Sequence, residues 1–175
     1  PDFEAIAGPG TGSFTQSGGF HFIQGNLDLG FSTTGEGSYT LSDGGLLVGI
    51  EAFSGEHIGF EGAGSFVQSG GEHAVGSLSL GFLAGSSGSY VLSDTGNLSA
   101  DFEVIGESGT GSFTQSGGTA TVHDRLTLGE FSGSSGSYAL SAGILSVIDE
   151  DIGGSGTGSL TQTRGTHSVA GLSLR

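Results

Sequence analysis

Four glutamates, four glutamines and three histidines recur in this chain at matched intervals. They are the side chains with which it could do acid–base or metal chemistry. Glu4, Glu56, Glu103 and Glu150 each stand twelve residues before a glutamine: Gln16, Gln68, Gln115 and Gln162. His21, His73 and His167 each follow a glutamine by five residues, and Ala120 takes that place after Gln115. A carboxylate that leaves water needs hydrogen-bond donors. The spacing offers two such sources, the following glutamine or backbone N–H groups at a corner. The alternative is a glutamate at a corner that reaches solvent.

The histidines raise a metal reading. If each repeat adds one strand spacing, matched histidines two repeats apart are separated by about 9.6 Å. One zinc ion cannot span that, because its ligands sit about 2 Å from the metal. No metal centre is expected, and the histidines read as surface or edge residues. Asp149-Glu150-Asp151 is the densest acidic group and the candidate for a weak calcium site, with Asp43 and Asp94 in matching turns. The chain has no EF-hand loop and lacks the Gly-Gly-x-Gly-x-Asp repeat of calcium β-rolls. Solvated acidic turns are the favoured reading, and no cofactor is otherwise expected.

Catalytic signatures are thin. A phosphate-binding Gly-x-x-x-x-Gly-Lys loop cannot exist without lysine. There is no Gly-x-Ser-x-Gly elbow and no cysteine for thiol or thiolate chemistry. His123-Asp124-Arg125 is the one cluster that breaks the repeat, and a local ion pair accounts for it. No catalytic residues are assigned, and the chain is read as a non-enzyme.

These side chains sit on a repeat that runs the length of the sequence. Gly-Ser-Phe-Thr-Gln-Ser at 12–17 returns with small changes at 64–69, 111–116 and 158–163. Gly-Ser-Tyr-x-Leu-Ser stands between them at 37–42, 88–93 and 136–141. Starts at 12, 37, 64, 88, 111, 136 and 158 give a period of about 24 residues, which marks a solenoid. A coils carry Phe (or Leu160) and Gln in the first strand and Leu-x-Leu in the third. B coils carry Tyr and Leu in the first strand and Glu-x-Ile in the third. Residue-by-residue alternation within each strand gives two unlike faces. Glycine-rich clusters between strands supply turns.

The expected fold is all-β: a right-handed parallel β-helix (β-solenoid) of about seven coils, three short strands per coil, over residues 1–175 as one domain. Parallel crossovers favour that hand, and seven coils rise roughly 33 Å. The expected core ladder is Phe14, Tyr39, Phe66, Tyr90, Phe113, Tyr138 and Leu160. Gln16 and its copies share its strand parity, so they too should face inward.

Composition narrows the partners. The chain of 175 residues has 38 Gly, no Cys, three basic residues and a net charge of −15. That charge repels phosphate backbones and anionic membranes. No run approaches the roughly 18 apolar residues of a spanning helix, so neither nucleic acid nor membrane insertion is expected. No charged-then-apolar leader opens the sequence. Both ends fall in mid-unit without a dissimilar cap, which suggests further repeats of a longer chain or head-to-tail stacking of copies.

With the repeats laid out, the sequence resembles the extracellular repeat arrays of large bacterial surface proteins, those with PEP-CTERM sorting signals and autotransporter-associated β-strand repeats. The resemblance rests on 109–118 (Gly-Thr-Gly-Ser-Phe-Thr-Gln-Ser-Gly-Gly), on Leu80-Gly81 before the Gly88-to-Ser93 motif, and on the Glu-x-Ile-Gly strands, and covers nearly the whole chain. It implies a secreted or surface β-solenoid tied to biofilm, matrix or adhesion, and supplies no catalytic residues. The first expectation is therefore a structural extracellular protein, polymeric or part of a fibre, matrix or surface layer. The second is a carbohydrate-binding adhesin using a solenoid face with Ser, Thr and exposed aromatics such as Phe31, Phe82 and Phe131. A polysaccharide-acting enzyme comes third.

Overall fold

A computed structural model describes residues 3–49 and 55–175. Every regular element within them is a β-strand. In chain order these are β1 (Phe3–Ile6), β2 (Gly10–Gln16), β3 (Phe20–Ile23), β4 (Asn26–Leu29), β5 (Gly35–Leu41), β6 (Leu46–Gly49), β7 (Gly55–Ile58) and β8 (Ala63–Gln68). There follow β9 (Glu72–Leu80), β10 (Ser87–Leu92), β11 (Asn97–Ile105), β12 (Thr110–Leu128), β13 (Ser135–Ile152), β14 (Thr157–Gln162) and β15 (Thr166–Leu174). All strand pairs are parallel, and each strand pairs with its counterpart one repeat away. The molecule is a parallel β-solenoid of about seven turns. Among the described residues no helix is long and apolar enough to cross a membrane.

Stacking makes three faces. The first runs Phe14, Tyr39, Phe66, Tyr90, Phe113, Tyr138, Leu160 in unbroken register. Its ring centroids lie 4.6 to 4.9 Å apart, the strand spacing itself. The middle five rings are 0–1 % exposed, while Phe14, on an outer rung, is 38 % exposed and Leu160 is half-buried. The second and third faces close the core with Leu47, Leu98, Leu145 and with Leu27, Leu78, Leu126.

Three separate strands per coil is too simple a picture. Strands β9, β11 and β15 each carry the second and third faces, and β12 and β13 run through all three. Corners there are made by one or two unpaired residues; the register slips between Val122 and Arg125, where His123 and Asp124 bulge.

Tight corners explain much of the glycine. A Cβ on Gly88 would run into the carbonyl oxygen of Ile58 and the backbone of Gly81, so a side chain has no room. Asp43 and Asp94 have φ of 53° and 50°, the left-handed conformation that aspartate tolerates better than most residues. They shape the turns closed by Gly45 N to Ser42 O and Gly96 N to Ser93 O, at 3.2 and 3.1 Å.

Candidate functional site: a buried polar relay

Strand alternation turns one side chain from each face toward the middle of the coil stack. On the third face it is glutamate in B coils, on the second it is histidine in A coils, and on the first it is glutamine or tyrosine. The central set has all four members in hydrogen-bond contact, with only Glu56 Oε1 buried and unpartnered. Gln68 Nε2 donates to the carbonyl oxygens of Gly71 and Asn97, at 3.2 and 3.1 Å. Both amide protons are thereby used, so Gln68 Oε1 faces Tyr90 and accepts its hydroxyl proton at 2.6 Å. A hydroxyl has only one proton to give. The His73 Nδ1, 2.9 Å from the Tyr90 oxygen, must therefore be the donor in that contact. The other ring nitrogen, Nε2, lies 2.8 Å from Glu56 Oε2, and one proton sits between them. The Glu56–His73 pair thus carries no net charge, which is what a site 0–1 % exposed on both sides requires. The imidazole also stacks on Phe66 at 4.8 Å.

The same relay stands at the first coils. Gln16 donates to Gly19 and Leu46, Tyr39 donates to Gln16 at 2.6 Å, and His21 bridges Tyr39 and Glu4 at 2.9 and 3.0 Å. Glu4 is 38 % exposed there, so water shares the site. In the last coil His167 Nε2 lies 3.3 Å from Glu150. That is ion-pair distance without hydrogen-bond geometry, and both Glu150 oxygens are buried without a hydrogen-bond partner. Burial raises the Glu150 carboxyl above its usual range, and His167 opposes the shift.

The third copy is broken. Gln115 holds Gly118 and Ile144 through Nε2 and accepts from Tyr138 at 2.7 Å. Ala120, not histidine, faces Glu103. Both Glu103 oxygens are buried without a partner, and desolvation pushes the carboxyl up to about 8. Burial first, then nearby glutamates, also raises the phenols of Tyr90 and Tyr138 far above 10.

Two sequence expectations are corrected. The histidines are not surface or edge residues: His73 is fully buried, and His21 and His167 are largely so. The glutamates do not pair with the glutamines twelve residues on, because tyrosine and two backbone carbonyls occupy each complete amide. Each glutamate that has a partner meets a histidine seventeen residues later, a spacing visible at 4 and 21, 56 and 73, and 150 and 167. The tyrosine hydroxyls, assigned only to packing, are the missing link. Their signal was the Phe/Tyr alternation, which places a hydroxyl only in the coil above a glutamine.

Other candidate residues do not converge. Alternation sends Glu150 inward and leaves Asp149 and Asp151 outside, so the acidic triplet is not one ligand set; Arg175 lies 3.7 Å from Asp151. Among the described residues no group of three or more His, Cys, Asp or Glu could hold a metal ion. His123 meets Ser99 at 2.9 Å, Asp124 is exposed, and neither Asp124 nor Arg125 joins an ion pair among the described residues. Phe31 and Phe82 are stacked on opposite sides of Phe60, at 5.4 and 5.3 Å. His57 sits against that stack and bonds Asp28 at 2.6 Å. Phe131 is 50 % exposed.

The fold and relay together define the class of protein: a parallel β-solenoid with polar bridges between coils. No family model matches the chain, and neither a curated protein nor a solved structure does.

Proposed function

We propose that this chain is a structural, extracellular β-solenoid that forms or belongs to a fibre, matrix or surface layer by coil-on-coil stacking. One observation carries the reading. The repeating glutamines, tyrosines and histidines are turned inward and bond across consecutive coils, while the outer first face repeats a plain serine column. That column, Ser13, Ser38, Ser65, Ser89, Ser112, Ser137 and Ser159, keeps register through every coil. The outer rung with Gln162 and His167 fits a further B coil, whose tyrosine would serve both residues as Tyr90 serves Gln68 and His73. Such a coil could come from further repeats or from another copy.

Electron microscopy and sedimentation at neutral pH test this. Threads or concentration-dependent growth support it. A strict monomer that binds no further B-type repeat contradicts it.

The adhesin reading keeps one supporting observation. A groove of about 450 Å³ lies along the serine column, lined by the hydroxyls of Ser38, Ser65, Ser89 and Ser112 together with Glu36. Aromatic stacking on sugars is weakened as its basis, because Phe31 and Phe82 turn ring faces to Phe60. Saturable glycan binding by a monomer, lost in Ser89→Leu, would favour this second reading.

A further inference from the structure

We propose that Glu103 and Ala120 make a pH-sensitive seam in the middle of the solenoid. The coils around them close fully only when the Glu103 carboxyl is uncharged, and its ionisation loosens them.

The argument starts from the broken relay. Three of the four inward glutamates have an imidazole within 3.3 Å, and Glu103 has none. Its rung neighbours on the third face are Leu78 and Leu126. On the second face Ala120 lies between Leu98 and Leu145, and nothing there titrates. The groups that titrate nearby are Tyr90 and Tyr138 on the first face, with Glu56 and Glu150 two rungs away on its own column. Not one of them is a cation that could neutralise a Glu103 carboxylate; the imidazoles of the second-face column, His73 and His167, stand two rungs to either side of Ala120, beside Glu56 and Glu150. Tyr138 has already given its proton to Gln115. A charged carboxylate here would have no counter-ion and no donor, in a residue 0 % exposed. The neutral acid avoids the larger part of that penalty.

The sign follows from linkage. A carboxyl raised to about 8 holds a proton in the folded chain where the unfolded chain has released it. Stability from this group is fully present below the unfolded value and declines as pH rises toward the folded one. At Glu4 and Glu56 a histidine instead stands in hydrogen-bond contact, at 3.0 and 2.8 Å.

Chemical denaturation from pH 4.5 to 9 on the wild type and Glu103→Gln provides the test. Between pH 4.5 and about 8 the wild-type folding constant should fall relative to the variant by up to tenfold per pH unit. Hydrogen exchange should locate the loosening at Leu98–Ile105 and Ala120–Leu128. Ala120→His should supply the missing imidazole and flatten the wild-type profile. Parallel profiles for wild type and Glu103→Gln would overturn the proposal. Independently of any variant, so would a wild-type Glu103 carboxyl carbon that titrates near 4.5. Fibre formation plays no part in these readouts, so the seam and the structural role fail separately.

Discussion

Replacing Tyr90 by phenylalanine deletes one oxygen from a site with no solvent access and leaves the ring between Phe66 and Phe113. Two groups lose their partner: His73 Nδ1–H loses its acceptor, and Gln68 Oε1 loses its donor. An orphaned buried polar group costs about 1–3 kcal/mol, so Tyr90→Phe should destabilise the fold by about 2–6 kcal/mol. Tyr138→Phe is the internal control. Ala120 gives Tyr138 no histidine, so only Gln115 Oε1 is orphaned, and the loss should be about 1–3 kcal/mol. Urea unfolding followed by circular dichroism measures both, with the midpoint moving and the slope unchanged. In a His73→Leu background the excess of Tyr90→Phe over Tyr138→Phe should vanish, since the branch responsible is gone. Equal losses for the two substitutions, or a Tyr90→Phe loss below about 0.5 kcal/mol, the size of an ordinary surface change, would refute the relay as drawn.

Three further outcomes follow from the same geometry. His73→Leu leaves the Glu56 carboxylate buried and unpaired and should cost about 3–5 kcal/mol; adding Glu56→Leu should restore much of it, because leucine already fills the neighbouring rungs on both columns. Gly88→Ala drives a methyl group into the Ile58 carbonyl, which backbone pairing holds in place, and should cost about 3 kcal/mol or more. Gly44→Ala, facing open space, should stay within about 0.5 kcal/mol, and thermal melts distinguish the two. For Glu103 the wild type should lose up to about 1.4 kcal/mol per pH unit as pH rises from 4.5 to about 8, and Glu103→Gln should not; pH-dependent denaturation reads the difference.

The aromatic column was legible in the sequence because one motif fixes both its period and its strand parity. Phe14, Tyr39 and their copies recur beside the same glycine and serine, so any stacked arrangement aligns them. Parity also carried Gln16, Gln68 and Gln115 inward. The second face was harder to read. His73 lies beyond a Gly-Gly corner, where the positive φ of Gly71 decides which way the next strand turns. That decision rests on backbone torsions that the residue types permit but do not specify. The relay crosses three faces and two coils, so its members stand 17 to 23 residues apart and share no local motif. Only the paired absence at Ala120, seventeen residues after Glu103, is neutral to a sequence reader and decisive in the structure. The outer pair Asp28–His57 was invisible for the same reason, since its members belong to neighbouring rungs of unlike coils.

The claim on which the rest depends is that histidine, tyrosine and glutamine hand protons in one direction across the coils. Nitrogen–proton correlation spectroscopy of the His73 imidazole at neutral pH tests it most directly. A proton on Nδ1, protected from exchange with solvent and close to the Tyr90 hydroxyl, is the expected result. An Nδ1 without a proton, or a ring that exchanges freely with water, would contradict the relay.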